Sequence, residues 1–238
     1  MSLRTPNYEK DHVYVYVFIN DAGDGEVSSG SHFCAKLHVW LELAGLPYTL
    51  CRATGPGGPY GKVPFIELNG ETYGDSSAII KMLSDKYDKD LDADLSPEQK
   101  ASSKAVQRMV EEHTYFLTLA DIAFQKEAFD VLTDKLMHLN ALTKWFVPSF
   151  VLRNFKANLN GQGIGRLPEK ERNDRMREDV EALSVILGEK KYVANDVKPT
   201  TVDATVFGYL WACFDTDTSL TKFMSSYTEC KKYVRFTK

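Results

Sequence analysis

The side chains of this 238-residue chain best placed to do chemistry gather at two predicted helix starts. One is Ser31-His32-Phe33-Cys34, where Ser31 precedes a helical stripe of Leu37, Leu41 and Ala44 that Gly45 stops. The other is Asp75-Ser76, either of which can cap a helix whose Ile79, Met82 and Leu83 share one face. The leading N–H groups of a helix lack internal partners and its dipole is positive there, so both starts favour an anion. A thiol such as Cys34 in that turn can ionise below its ordinary range and exchange with disulfides, although the same residue also suits a small buried apolar position. Ser at such a place commonly caps its helix, and a lone His32 on the first turn reads as a solvated ring.

The elements that must position these groups are legible from punctuation. Pro64 has no N–H, so it marks the first position of a strand over 65–68; Asn69-Gly70 tolerates the two positive φ angles of a tight hairpin, and 71–73 returns. The β-branched and aromatic run 13–19 predicts a central strand covered on both faces, followed by a Gly, Asp and Ser loop over 20–30. Residues 48–51 predict a second strand, parallel to the first through a right-handed crossover. The Gly/Pro-rich stretch 54–61 cannot hold a regular helix and reads as an open loop.

Residues 85–97 form a charged linker, with Ser96 or Pro97 opening the next helix. Beyond it the apolar period is helical throughout. Val106, Met109, Val110, His113, Phe116, Leu117 and Ala120 keep one face, 124–142 continues, and two long antiparallel helices fit. Residues 158–166 break the pattern, and a helix carrying Met176, Val180, Leu183 and Leu187 ends at Gly188. Thr200-Thr201-Val202-Asp203 reads as a capping box, the Thr200 hydroxyl accepting the N–H of Asp203 and the Asp203 carboxylate that of Thr200. Gly163-Ile164-Gly165 follows no strand, so a nucleotide-binding reading fails its context.

The net charge of −4 gives no reason to expect nucleic acid or an anionic membrane as partner. Cysteines at 34, 51, 213 and 230 have no metal-ligand spacing and read as thiols in a reducing compartment. No apolar run approaches a membrane span and residues 1–12 lack a signal core, so the cytoplasm is the expected location.

A Val63-Pro64 pair opening a strand, a hairpin, and then Asp75-Ser76 starting a helix resembles the glutathione-binding half of cytosolic glutathione transferases. The resemblance implies an α+β chain: a thioredoxin-like α/β domain over 1–90 followed by an all-helical domain over 97–238. It also implies a cis bond at Pro64, which turns the main chain of Val63 out to pair with the cysteinyl part of glutathione. Asp75, where the family usually has Glu, and Ser76 would hold the γ-glutamyl carboxylate, and Lys62 the glycyl carboxylate. Ser31 would stabilise the thiolate. Glutathione is then the co-substrate, with no metal, a small hydrophobic electrophile as second substrate, and a homodimer as the assembly. Ser31-His32-Phe33-Cys34, residues 161–166 and residues 199–208 are similar to the branch containing failed-axon-connections proteins, metaxins and bacterial relatives, although many of these relatives have proline where His32 stands. Some members of that branch are enzymes and others bind partners. The alternatives are therefore a non-catalytic adaptor, a Cys34-based thiol transferase, or a phenol-type site using Tyr14 or Tyr16. Met109, His113, Phe116, Trp145 and Phe146 are available to line an electrophile pocket but equally suit plain core.

Overall fold

The computed structural model describes residues 4–17, 31–53, 57–136 and 145–214. Strand β1 (Val13–Val17) pairs in parallel with β2 (Tyr48–Arg52) and antiparallel with β3 (Phe65–Leu68), which pairs antiparallel with β4 (Glu71–Gly74). The sheet order β2-β1-β3-β4 makes β1 an inner strand, as its apolar run requires. Residues 18–30, including the last part of the expected first strand, lie outside the described residues. The hairpin is the tight one expected, with Asn69 and Gly70 at φ 51° and 84°. Helix α1 (His32–Ala44) is the crossover, closed by Gly45 in the left-handed region, and α2 (Ser76–Tyr87) follows β4.

Alternation along β1 sorts its side chains between two faces. Val13, Val15 and Val17 join Leu37, Leu41 and Ile79 on the helix side, whereas Tyr16 stacks on Phe65 on the other. Among the described residues, that second face is covered by residues 4–5 and 57–58. Arg4 and Thr5 donate backbone N–H groups to the buried Glu67 (2.7 and 2.8 Å), and the Arg4 guanidinium lies over the rings of Tyr16 and Phe65. Gly57 and Gly58 lie directly on Phe65, where a Cβ would fall 2.5 and 2.6 Å from its side chain. The stretch expected to be an open loop is therefore, over 57–58, closed down on the sheet, because glycine lets backbone touch an aromatic ring.

The second half is helical: α3 (Pro97–Met109), α4 (Tyr115–Phe124), α5 (Lys126–Leu136), α6 (Val147–Gln162), α7 (Glu169–Leu187) and α8 (Thr201–Phe214). Its core joins Leu117, Ala120, Leu159, Val180, Leu183 and Leu210. Ser96 and Gln99 form a reciprocal capping box at α3. Several expectations need correction. The linker is shorter than 85–97, since α2 runs to Tyr87, and it is tied down: Asp92 accepts from the Thr201 N–H (2.8 Å) and Asp94 pairs with Lys198 (2.6 Å). A single π turn, Val110–Thr114, joins α3 to α4, and Gln125 breaks the helix before α5. Part of the helix expected over 124–142 lies outside the described residues. The break read over 158–166 begins only at Gly163, because α6 continues through Gln162. At Thr200 the carboxylate of Asp203 accepts from both the Thr200 N–H (2.8 Å) and its hydroxyl (2.6 Å), so the hydroxyl donates where it was expected to accept.

The halves meet most closely where α8 crosses α1. A Cβ on Gly208 would lie 2.6 Å from the Lys36 nitrogen and 2.8 Å from the His32 carbonyl oxygen, both backbone atoms of α1. Ala is better than Gly in a helix by about 1 kcal/mol, but overpacking costs about 1–3 kcal/mol, and backbone cannot rotate away from the clash. Gly208→Ala is therefore expected to lower the thermal midpoint, as a calorimetric melt will show; an unchanged or raised midpoint would mean that α8 shifts freely on α1.

Candidate functional site

The start of α2 is built by the hairpin that precedes it. Asp75, at φ 68°, turns the chain out of β4, and its carboxylate accepts from the Ala78 N–H at 2.9 Å. The Val63-Pro64 peptide bond is cis, and the backbone N–H and C=O of Val63 make no hydrogen bond among the described residues. Gly74 admits the Tyr60 ring, which a Cβ would meet at 2.9 Å, so the chain before Lys62 folds over the end of β4. Lys62 itself is exposed.

A cleft of about 270 Å³ opens beside this helix start, between the two halves. Asp75, Ser76 and Ser77 form one side, and Phe33 of α1 adjoins them. The opposite side comes from α3, the π turn and α4: Arg108, Glu111, Glu112, Tyr115 and Phe116. The π turn has one residue more than an α turn, and π turns recur at functional sites. Here it brings two acidic side chains to the cleft, and the Thr114 hydroxyl donates to the Met109 carbonyl at 3.1 Å.

The seam is charged. Lys36 of α1, 1% exposed, sets its ammonium 2.5 Å from a Glu111 carboxylate oxygen, itself 5% exposed. Lys36 also donates to the Ser77 hydroxyl at 2.7 Å, and Gln107 donates to the same hydroxyl (3.1 Å) and to both Glu111 oxygens. Burial pushes the Lys36 pKa down while Glu111 opposes the shift. Arg108 bridges Glu112 at 3.2 Å and approaches Glu111 at 3.8 Å.

Asp75 and Ser76, both anticipated, line the cleft. Ser31 occupies the N-cap position of α1, two residues before Phe33, and its side chain makes no capping hydrogen bond. Cys34 is only 1% exposed and packs with β1 and α2, which matches its apolar reading rather than that of an accessible nucleophile. Tyr14 and Tyr16 project away from α1: the Tyr14 hydroxyl accepts from the Glu9 N–H, and that of Tyr16 bonds Thr5 and Glu67. Burial raises the Tyr16 pKa. Of the aromatic and Met candidates only Phe116 lines the cleft. His113 bonds Asp179 at 2.8 Å, Met109 packs on the helical core, and Trp145 is 88% exposed. Arg108, Glu111, Glu112 and Tyr115 were not singled out from the sequence. Gln107 and Glu111, one helical turn apart beside Val106 and Val110, were the available signal.

His32 is not the solvated ring expected. Its ring packs against Phe33 (4.0 Å between centroids), Tyr115 (4.6 Å) and Tyr209 (6.0 Å), and Nε2 is buried without a hydrogen-bond partner. Part of the residue reaches the surface, but Nε2 does not. Burial, aided by the Lys36 charge, holds the pKa down to about 3 from 6.5. Between those values the unfolded chain binds a proton that the folded one refuses, so stability is full above about pH 6.5 and falls as pH drops toward 3, by up to about 1.4 kcal/mol per unit. His32→Gln should flatten that acid limb relative to the parent chain in urea midpoints measured across pH; parallel limbs would place the ring in water.

Residues 32–128 match the glutathione S-transferase N-terminal domain and residues 176–238 the glutathione S-transferase C-terminal domain. The chain is 33% identical over 217 residues to "Failed axon connections" of Drosophila melanogaster, covering 86% of this chain and 50% of that protein, so it spans only half the length of that relative. It is 32% identical over 215 residues to the isoprene-epoxide–glutathione S-transferase of Rhodococcus sp. (strain AD45), covering 83% of this chain and 85% of that one. Among solved structures, a glutathione S-transferase of Ceriporiopsis subvermispora in complex with glutathione aligns over 94% of this chain and 96% of its own, with TM-score 0.64 and 17% identity. One from Methylobacterium radiotolerans with glutathione sulfonate aligns over 94% and 89%, with TM-score 0.60 and 12% identity. A thioredoxin-like α/β half joined to a mostly helical half, matched by both domain models and by relatives at about a third identity, makes this chain a member of the glutathione S-transferase family.

Proposed function

We propose that the chain is an enzyme that joins the sulfur of glutathione to a small hydrophobic electrophile. The observation that carries this reading is the cleft itself, which has the start of α2 and Phe33 on one side and Tyr115 and Phe116 of the helical half on the other. Glutathione is held by the 1–90 unit. Val63 offers its unbonded main chain beside Pro64 to the cysteinyl backbone, Asp75 and Ser76 take the γ-glutamyl end, and Lys62 faces the glycyl carboxylate. The electrophile enters against Phe116 and Tyr115 of the 97–238 unit. By family habit the assembly is a homodimer in the cytoplasm.

A thiol of pKa about 8.5 is mostly protonated at neutral pH, so the site must stabilise its anion. Ser31 has the place for this at the start of α1, where helix N–H groups add to its hydroxyl. The relative that acts on isoprene epoxide supports an enzyme. The Drosophila relative supports the second reading, a glutathione transferase fold used for partner binding. The buried Cys34 makes a thiol transferase the weakest of the three.

Calorimetry with glutathione separates the first two, because an adaptor that has lost the site gives no heat at millimolar ligand. For the enzyme, turnover of an aryl halide is expected, with Ser31→Ala lowering kcat roughly a hundredfold while the KM for glutathione changes little. Undiminished kcat in that variant would remove Ser31 from the chemistry.

A further inference from the structure

Helix α6 starts apolar on two opposite faces. Inward, Leu152, Phe155 and Leu159 recur at helical spacing and pack in the core of the helical half. The outward face should be polar, yet it begins with Phe146 and Phe150, 52% and 65% exposed and one turn apart, the Phe150 N–H donating to the Phe146 carbonyl. Trp145, 88% exposed, adjoins them. Single exposed apolar residues need no explanation, whereas three large aromatic rings within residues 145–150 do. The charges that follow are of one sign: α6 contains Arg153 and Lys156 and no acidic residue. Arg153 continues the line of Phe146 and Phe150, and Lys156 lies over the exposed Phe124 ring (5.5 Å to its centroid), as does Arg172 of α7 (4.6 Å). Among the described residues none of these three cations is paired with a carboxylate, whereas Lys126, Lys170 and Arg175 are matched by Asp130, Asp174 and Glu171 on their own helices.

We infer that the outward face of α6 docks on an anionic lipid surface, with Trp145, Phe146 and Phe150 entering the headgroup layer and Arg153 and Lys156 meeting the lipid charges. A second copy of the chain would set those two cations against themselves, and an uncharged partner would leave them unopposed. Anionic lipid answers the rings and the cations together, because Trp and Phe favour the boundary between headgroups and acyl chains while Lys and Arg reach back to the phosphates. Docking of this kind needs no spanning helix, and the net charge of −4 is an average over the chain that does not describe this face. None of these residues lines the cleft, so the inference stands apart from the transferase reading.

The test is sedimentation of the full chain with vesicles of phosphatidylcholine alone or with about a third phosphatidylserine. Binding is expected to the anionic vesicles only, weakening as salt rises. Tryptophan emission should shift to the blue on those vesicles, and Trp145→Phe should keep most of the binding while losing the shift, which places that ring in the lipid. Phe150→Ser should weaken binding about tenfold, and Arg153→Gln combined with Lys156→Gln roughly thirtyfold. All four side chains are exposed, so these changes leave the fold intact. Sedimentation with neither kind of vesicle would overturn the inference and leave the face to a protein partner, and so would undiminished binding by both Phe150→Ser and the glutamine pair. A mass that falls from dimer to monomer in Phe150→Ser would overturn it as well, by seating a second copy on the face.

Discussion

Lys36 carries an ammonium into the seam between the α/β half and the helical half, and a charge so placed costs several kcal/mol unless it is opposed and hydrogen-bonded. Glu111 opposes it from the π turn, and Ser77 and Gln107 complete the shell from α2 and α3. Removing either partner would strand the other charge away from water. Gly208 lets α8 press on the same turn of α1, so the helix bearing Lys36 is fixed from the sheet side and from the helical side at once.

That double coverage explains the composition of α1. Leu37 and Leu41 face the sheet, Gly208 of α8 rests on the backbone at His32 and Lys36, and apolar residues surround the helix rather than forming a single stripe. The far face of the sheet is closed by different means, with Arg4 and Thr5 clamped on Glu67 and two glycines flattened on Phe65. All four residues of β3 are buried in consequence, and the accessible rim beside the sheet is the turn from β4 into α2.

The cleft at that rim divides by chemistry. Its charges are largely matched within the protein, Lys36 with Glu111 and Arg108 with Glu112, and Asp75 spends a carboxylate oxygen on its own helix. Phe33, Tyr115 and Phe116 supply apolar surface close by. Polar groups that are already paired keep their geometry as a ligand arrives, and such preorganisation is what a binding site needs from its surroundings.

Local chemistry made much of this readable in one dimension. Pro64, Asn69-Gly70, Gly45 and Ser96 each impose a backbone conformation or satisfy one, so the hairpin, the helix ends and the order of elements followed from residue type. Asp75 and Ser76 were legible as a helix start for the same reason, and residues 61–82 carried the family. What tertiary structure alone decided were the properties that depend on neighbours distant in sequence. His32 became a neutral buried ring because Tyr115 and Tyr209 surround it, and Cys34 was shut into the core by the sheet. Lys36, unremarkable among the residues of α1, became a buried cation only because Glu111 arrives from 75 positions away. Backbone preferences act within a few residues and can be read from them, whereas desolvation and charge pairing are set by whatever the fold brings alongside.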